Sequence, residues 1–405
     1  MATPRWFALL LILLCGVRAE LKVATDFEGG SARVISIDDA TQTIRFMPGG
    51  DPARGWPCWW FLRVDGAEPG AIIAFEIVAS DRVIPQTGGN KGKPLPVSWA
   101  TPVRAAVSSD GTTLQHTEPG GKRADGMTWR VKAGAKSVWL AWGPPFTPRD
   151  AAALVKSLPH GEPFTLARSR EGRDVPGVRV GNGGFGVWVQ ARQHAWESGS
   201  SWVCRGFAEW IAGDDEAARW LREHAEIFIV PLMDVDHVAT GDGGKEALPQ
   251  DHNRDWSDAA HWPEVAAAQQ RLASLAAANR LDVFLDLHNP GPGDLSSFFF
   301  AGEDSMVPEA ARKNRDRFFA LTKEHLRGPI PHDPKPRPSG ANYHPLWRQM
   351  SGNWVTAHGN PHTLSLCLET AWNTPASTTA GYMSTGAQLA AAVAAYLREN
   401  PRAAR

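Results

Sequence analysis

The stretch Gly186-Val187-Trp188-Val189-Gln190-Ala191-Arg192-Gln193-His194-Ala195-Trp196-Glu197-Ser198-Gly199 decides how the chain is read. Its first six residues, apolar and free of proline, read as a strand, and Ser200 to Ile211 reads as a helix. Between them lies an H-x-x-E pair. An imidazole and a carboxylate at that spacing on one turn face a common point and suit two of the three protein ligands of a catalytic zinc. The third ligand must come from elsewhere. With 13 histidines in the chain one chance H-x-x-E is unsurprising, and His261-Trp262-Pro263-Glu264 is a second copy, so the surroundings must choose between them.

Working outward, 405 residues suffice for two domains with full-sized cores. Apolar residues at 43% and charged residues at 21% read as globular and soluble. A net charge of -1 gives no support for a nucleic-acid partner or a basic membrane-binding face. Residues 1–19 read as a secretory signal: Arg5 opens it, Trp6 to Cys15 is its apolar run, and Val17-Arg18-Ala19 supplies the cleavage site. That run is too short for a permanent membrane span. The expected location is therefore secreted or periplasmic. Cys58, Cys204 and Cys367 then remain, too far apart for a disulfide framework or a zinc knuckle, and Cys204 and Cys367 read as buried small residues.

Residues 20–145 carry strand signals. Runs such as Ala32–Ile37, Trp59–Val64, Ala71–Ile77, Met127–Val131 and Ser137–Trp142 are separated by Gly, Pro and Asp clusters, which predicts an antiparallel β-sandwich. Part of the 18 Trp falls here, where core filling outweighs a carbohydrate site. Gly143-Pro144-Pro145 marks the boundary. In residues 146–405 helices at Pro148–Leu158, Pro263–Asn279, Pro308–Leu326 and Thr385–Glu399 alternate with strands at Ala225–Pro231, Val283–Leu287, Ser297–Phe300 and Thr363–Leu368. That alternation predicts an α/β domain with a mixed, mostly parallel sheet flanked by helices.

In such sheets functional groups collect beyond the carboxyl ends of the strands. One strand runs into His194 and Glu197, a second ends in His288, and a third ends in Glu369. Glu264 instead follows Pro263 at the start of a helix and reads as an N-terminal helix charge, so the second H-x-x-E is set aside. Two histidines and one carboxylate leave a coordination position open on a single zinc ion. Glu369 is the candidate general base that takes a proton from the attacking water and gives it to the leaving amine. In Asp251-His252-Asn253-Arg254-Asp255, a guanidinium beside an amide suits the grip that an exopeptidase needs on a terminal carboxylate. The plainer reading pairs Arg254 with Asp255 or Asp258 in a solvated loop.

The order H-x-x-E, N-R, a strand ending in D-L-H and a strand ending in Glu-Thr resembles the zinc metallocarboxypeptidases, as does Ser169-Arg170-Glu171-Gly172-Arg173. The resemblance covers most of the chain after Pro145, and a strand-built domain in front is similar to the cytosolic-carboxypeptidase-like branch. It implies that His194, Glu197 and His288 hold zinc, that Glu369 is the general base, and that Asn253 and Arg254 grip the terminal carboxylate of a peptide substrate. The arginine that the branch places on the scissile carbonyl has no counterpart here, and Lys245 is the nearest cation. The family's Asn-Pro-Asp-Gly turn is altered to Met233-Asp234-Val235-Asp236-His237, with His237 a local variation or a substrate contact.

Two further readings stay open. The same ligands serve zinc amidases acting on cell-wall peptides or acylated amino acids, and a Trp-rich sandwich beside an inactive domain would be a non-catalytic glycan binder. The resemblance implies that side-chain preference depends on the segment from Pro329 to His362, where neither sequence nor spacing places a residue. Tyr343 and Tyr382 are possible phenolic partners of the leaving group, with packing the more ordinary role for each.

Overall fold

The computed structural model describes residues 20–84 and 92–402. The expected signal, residues 1–19, lies outside them.

Strands between Lys22 and Ala141 form two five-stranded sheets. One takes the order Lys22–Ala24, Phe61–Asp65, Ser137–Ala141, Ala106–Ser108, Gln115–His116, with every neighbour antiparallel. The other takes the order Arg33–Asp38, Thr43–Met47, Ile72–Val78, Gly126–Lys132, Gly121–Lys122. It departs from the antiparallel expectation at one place, where Thr43–Met47 pairs parallel with Ile72–Val78. The chain between them passes through Phe61–Asp65 of the opposite sheet and so returns in the same direction. A single apolar core joins the inner faces, with Leu62, Val64 and Leu140 from one sheet against Phe46, Phe75 and Trp129 from the other. The tryptophans fill this core. Trp60 and Trp129 lie 5.3 Å apart, and the indole N–H of Trp60 is satisfied by the carbonyl of Ala100 at 2.8 Å.

The second half carries an eight-stranded mixed sheet in the order Gly161–Arg168, Asp174–Val180, Ala225–Val230, Phe185–Ala191, Leu281–His288, Leu364–Glu369, Phe298–Ala301, Arg337–Pro338. The four strands from Ala225–Val230 to Leu364–Glu369 run parallel. Leu281–His288 is buried at every position, as a central strand covered on both faces must be. Helices Ser198–Ala212, Glu309–His325 and Thr379–Arg398 pack together, and Pro263–Ala277 packs with Ser351–His358. The last long helix starts at Thr379, ahead of the expected Thr385, because the Thr378 hydroxyl caps the Gly381 N–H at 3.1 Å. Gly381 and Gly386 hide that start from a propensity reading.

The two halves meet along residues 51–56 and 242–248. Arg54 Nε donates to Asp242 at 2.5 Å and Arg54 Nη1 reaches Glu171 at 2.8 Å. Trp56 N–H donates to the Lys245 carbonyl at 3.0 Å, and Leu248 N–H to the Ala53 carbonyl at 2.7 Å. Trp99 and Trp142 of the sandwich stand edge-on to Trp196, which lies between His194 and Glu197 in sequence.

Candidate metal centre

Register places the centre. In the parallel pairing of Leu281–His288 with Leu364–Glu369, His288 stands opposite Glu369. The adjoining strand Phe185–Ala191 ends level with Leu287 and delivers the chain to the H-x-x-E turn. Arg192 bends that turn. It holds a left-handed backbone (φ 66°) and its buried guanidinium donates to the Ala195 carbonyl at 2.7 Å. Burial lowers its pKa to about 9, against the pull of Glu197 and Asp234.

His194, Glu197 and His288 converge, all buried, with potential ligand atoms within 4.8 Å of one another. His194 Nδ1 lies 2.8 Å from Glu197 Oε1, and His288 Nδ1 lies 2.7 Å from Glu197 Oε2. The opposite ring nitrogens are each held by a carboxylate, His194 Nε2 by Asp251 at 3.0 Å and His288 Nε2 by Asp286 at 2.9 Å. That is the arrangement in which a metal-bound imidazole has its free N–H fixed and its donor power raised. Asp286 is itself oriented by the Gln193 amide and the Ser351 hydroxyl, both at 2.5 Å. Asp251 accepts the backbone N–H groups of Asn253 at 2.8 Å and Glu246 at 2.9 Å. Burial would raise the Glu197 carboxyl, but His194 and His288 hold it well below the usual range. Two Nδ1 atoms on imidazoles backed by carboxylates, and an ionised carboxylate that accepts the Asn289 N–H at 3.2 Å, fit a zinc ion.

Glu369 is different. Its Oε2 is buried without a hydrogen-bond partner, and burial pushes its pKa up to about 7, against the pull of His288 and with Glu197 adding to the rise. A carboxyl poised there can take and return a proton near neutral pH.

Asn253 and Arg254 sit in a short 3-10 turn after Asp251. The Asn253 amide nitrogen lies 3.2 Å from His288 Nε2, and its oxygen accepts the Ser351 N–H at 2.9 Å. Arg254 is buried, donates Nη1 to the Asn253 carbonyl at 2.7 Å and leaves Nε unpartnered. Among the described residues no carboxylate is within ion-pair distance of it, so the solvated-loop pairing with Asp255 or Asp258 does not form. Asp255 instead accepts from the backbone of His261 and Trp262. Lys245 Nζ lies 5.3 Å from the ring of Trp56, and its charge bears on Glu369 and Asp251.

The second H-x-x-E forms no metal set. His261 binds Asp255 at 2.8 Å, while Glu264, at the helix start as expected, is buried and accepts from His252 Nε2 at 2.6 Å. Tyr382 is buried against Gly199, and Tyr343 is 44% exposed with its ring on Phe300. The carboxylates behind the histidines, Asp251 and Asp286, are candidate site residues that the motifs do not single out. Their only signal was closeness in sequence to Asn253 and His288.

Residues 152–275 match the zinc carboxypeptidase family. Uncharacterized protein ZMO1242 of Zymomonas mobilis is 25% identical over 76% of this chain and 76% of its own length. Human cytosolic carboxypeptidase 4 is 36% identical over 103 residues, which are 25% of this chain but only 9% of that protein. Among solved structures, a metallo-carboxypeptidase from Burkholderia cenocepacia superposes with a TM-score of 0.77 at 23% identity, over 94% of this chain and 100% of that one. A metallo-carboxypeptidase from Pseudomonas aeruginosa, solved with (2-guanidinoethylmercapto)succinic acid, gives 0.74 at 23% identity over 93% and 99%. The structural likenesses establish the fold. The match to the zinc carboxypeptidase family, residues 152–275, falls in the mixed-sheet half that follows the strand-built domain.

Proposed function

We propose that the protein is an exopeptidase that removes residues from the carboxyl end of peptides, with His194, Glu197 and His288 holding one zinc ion. The observation that carries this reading is Arg254, a buried guanidinium with no acidic partner, in the turn whose Asn253 touches His288. A buried guanidinium that no described carboxylate directly pairs is costly, and a substrate's terminal carboxylate would supply that pair. Zinc, when bound, supplies a Lewis acid for the scissile carbonyl and for water. Arg254 fixes the end of the chain, so that the last peptide bond is the one presented. Lys245 brings positive charge toward the carbonyl oxygen as it becomes anionic. Glu369 takes the proton of the attacking water at its unpartnered Oε2 and delivers it to the leaving nitrogen.

No described helix is long and apolar enough to cross a membrane. The run from Trp6 to Cys15 supports export, and we place the enzyme outside the cytoplasm. The test of the base is Glu369→Gln. The variant should keep its zinc and lose turnover of a free-acid peptide by about 100-fold or more; retained peptidase activity would remove Glu369 from its role.

A further inference from the structure

A second buried cluster joins Asp234 and His237, in the turn ahead of Lys245, to His252, in the 3-10 turn that carries Arg254. The residues are 1%, 2% and 0% exposed, and their potential ligand atoms lie within 4.8 Å of one another. Asp234 Oδ2 is 2.8 Å from His237 Nδ1 and 3.7 Å from His252 Nδ1. Donors on a tetrahedral cation with bonds of about 2.0 to 2.1 Å stand about 3.3 to 3.4 Å apart. The observed separations fall on either side of that value, so small rotations would bring all three donors onto one ion.

Two observations separate this cluster from an ordinary buried ion pair. His252 Nδ1 has no hydrogen-bond partner although the ring is wholly buried. Its other nitrogen, Nε2, is held by Glu264 Oε1 at 2.6 Å. This repeats what is seen at His194 with Asp251 and at His288 with Asp286, an imidazole whose outer nitrogen is anchored by a carboxylate while the inner one points at shared donors. Trp262 stacks on His252 at 4.3 Å and stands edge-on to His237 at 5.5 Å, closing that side.

We infer that Asp234, His237 and His252 form a second site for a divalent transition cation of the zinc class. Two imidazoles and one carboxylate are borderline ligands that suit zinc better than calcium or magnesium. An ion there ties the turn of residues 234–237 to the segment 251–254, which carries Asp251 and Arg254. The inference does not depend on the peptidase reading.

The test is the metal content of full-length protein saturated with zinc and desalted, measured by plasma mass spectrometry. Wild type should hold about two ions per chain, and His288→Gln and His252→Gln about one each. One ion in wild type, lost in His288→Gln and kept in His252→Gln, would overturn the second site. One ion kept in His288→Gln and lost in His252→Gln would support it and remove the catalytic one. If a variant does not fold, anomalous scattering from zinc-saturated wild-type crystals decides. A peak among Asp234, His237 and His252 is expected, and none there overturns the inference.

Discussion

His288 and Glu369 stand opposite one another at the carboxyl ends of adjacent parallel strands, so one register brings the proposed metal ligand and the proposed general base to the same edge of the sheet. Side chains on a strand alternate between faces, so a slip of one residue would carry one of the pair to the other face. The proposed chemistry therefore depends on the pairing of the two strands as much as on the two residues.

The carboxylates behind the histidines should control metal affinity. Asp251→Asn or Asp286→Asn keeps the size of the side chain but removes the charge that fixes each ring. Zinc affinity, measured by competition with a chromogenic chelator, should fall about 10- to 100-fold in each variant. Unchanged affinity in both would mean that neither carboxylate acts on the metal.

Arg254→Gln should affect recognition. Removing one partner of a buried charged contact costs about 2 to 5 kcal/mol, which should appear chiefly as a raised KM for a free-acid peptide. Carboxyl-amidated peptides, which the proposal makes poor substrates, should be little affected, so the preference between the two narrows. An unaltered preference would separate Arg254 from the terminal carboxylate.

Lys245→Ala should lower kcat by about 100-fold with a smaller change in KM, as expected for charge that matters most in the transition state. Lys245→Arg should recover part of the loss, because the charge returns with a different donor geometry. Equal kcat in wild type and alanine variant would exclude Lys245 from catalysis.

The sandwich should act on the same loop. Gly55 has φ 118°, and a Cβ there would lie 2.2 Å from the Gly244 nitrogen, next to Lys245. Gly55→Ala should lower both the Tm and kcat, with strain of about 1 to 3 kcal/mol. Gly70, with φ 91° and nothing near its Cβ, is the control. Gly70→Ala carries backbone strain without the contact, and should reduce Tm while leaving kcat unchanged.

Much of this was legible because apolar runs ended in chemistry. The runs before His194, His288 and Glu369 formed strands whose carboxyl ends meet, since burial and period speak for themselves in a central sheet. Glu264 was placed correctly at a helix start, but its bond to His252 joins segments by tertiary contact and leaves no periodic trace. The same holds for Asp251 and Asp286, whose roles depend on which ring nitrogen they meet. The parallel pair in the sandwich was hidden because strand signals carry no direction. Arg254 was assigned from its neighbour in sequence, while its freedom from Asp255 became visible only when Asp255 proved to accept the N–H groups of His261 and Trp262.

The most direct measurement presents one peptide in two forms, with a free carboxyl terminus and with a carboxyl-terminal amide, and follows both by mass spectrometry with and without a chelator. The free acid should shorten one residue at a time from its carboxyl end, the amide should stay intact, and chelation should stop the reaction until zinc is returned. Equal cleavage of the two forms, or shortening that persists after the metal is stripped, would contradict a zinc centre working beside a carboxylate grip.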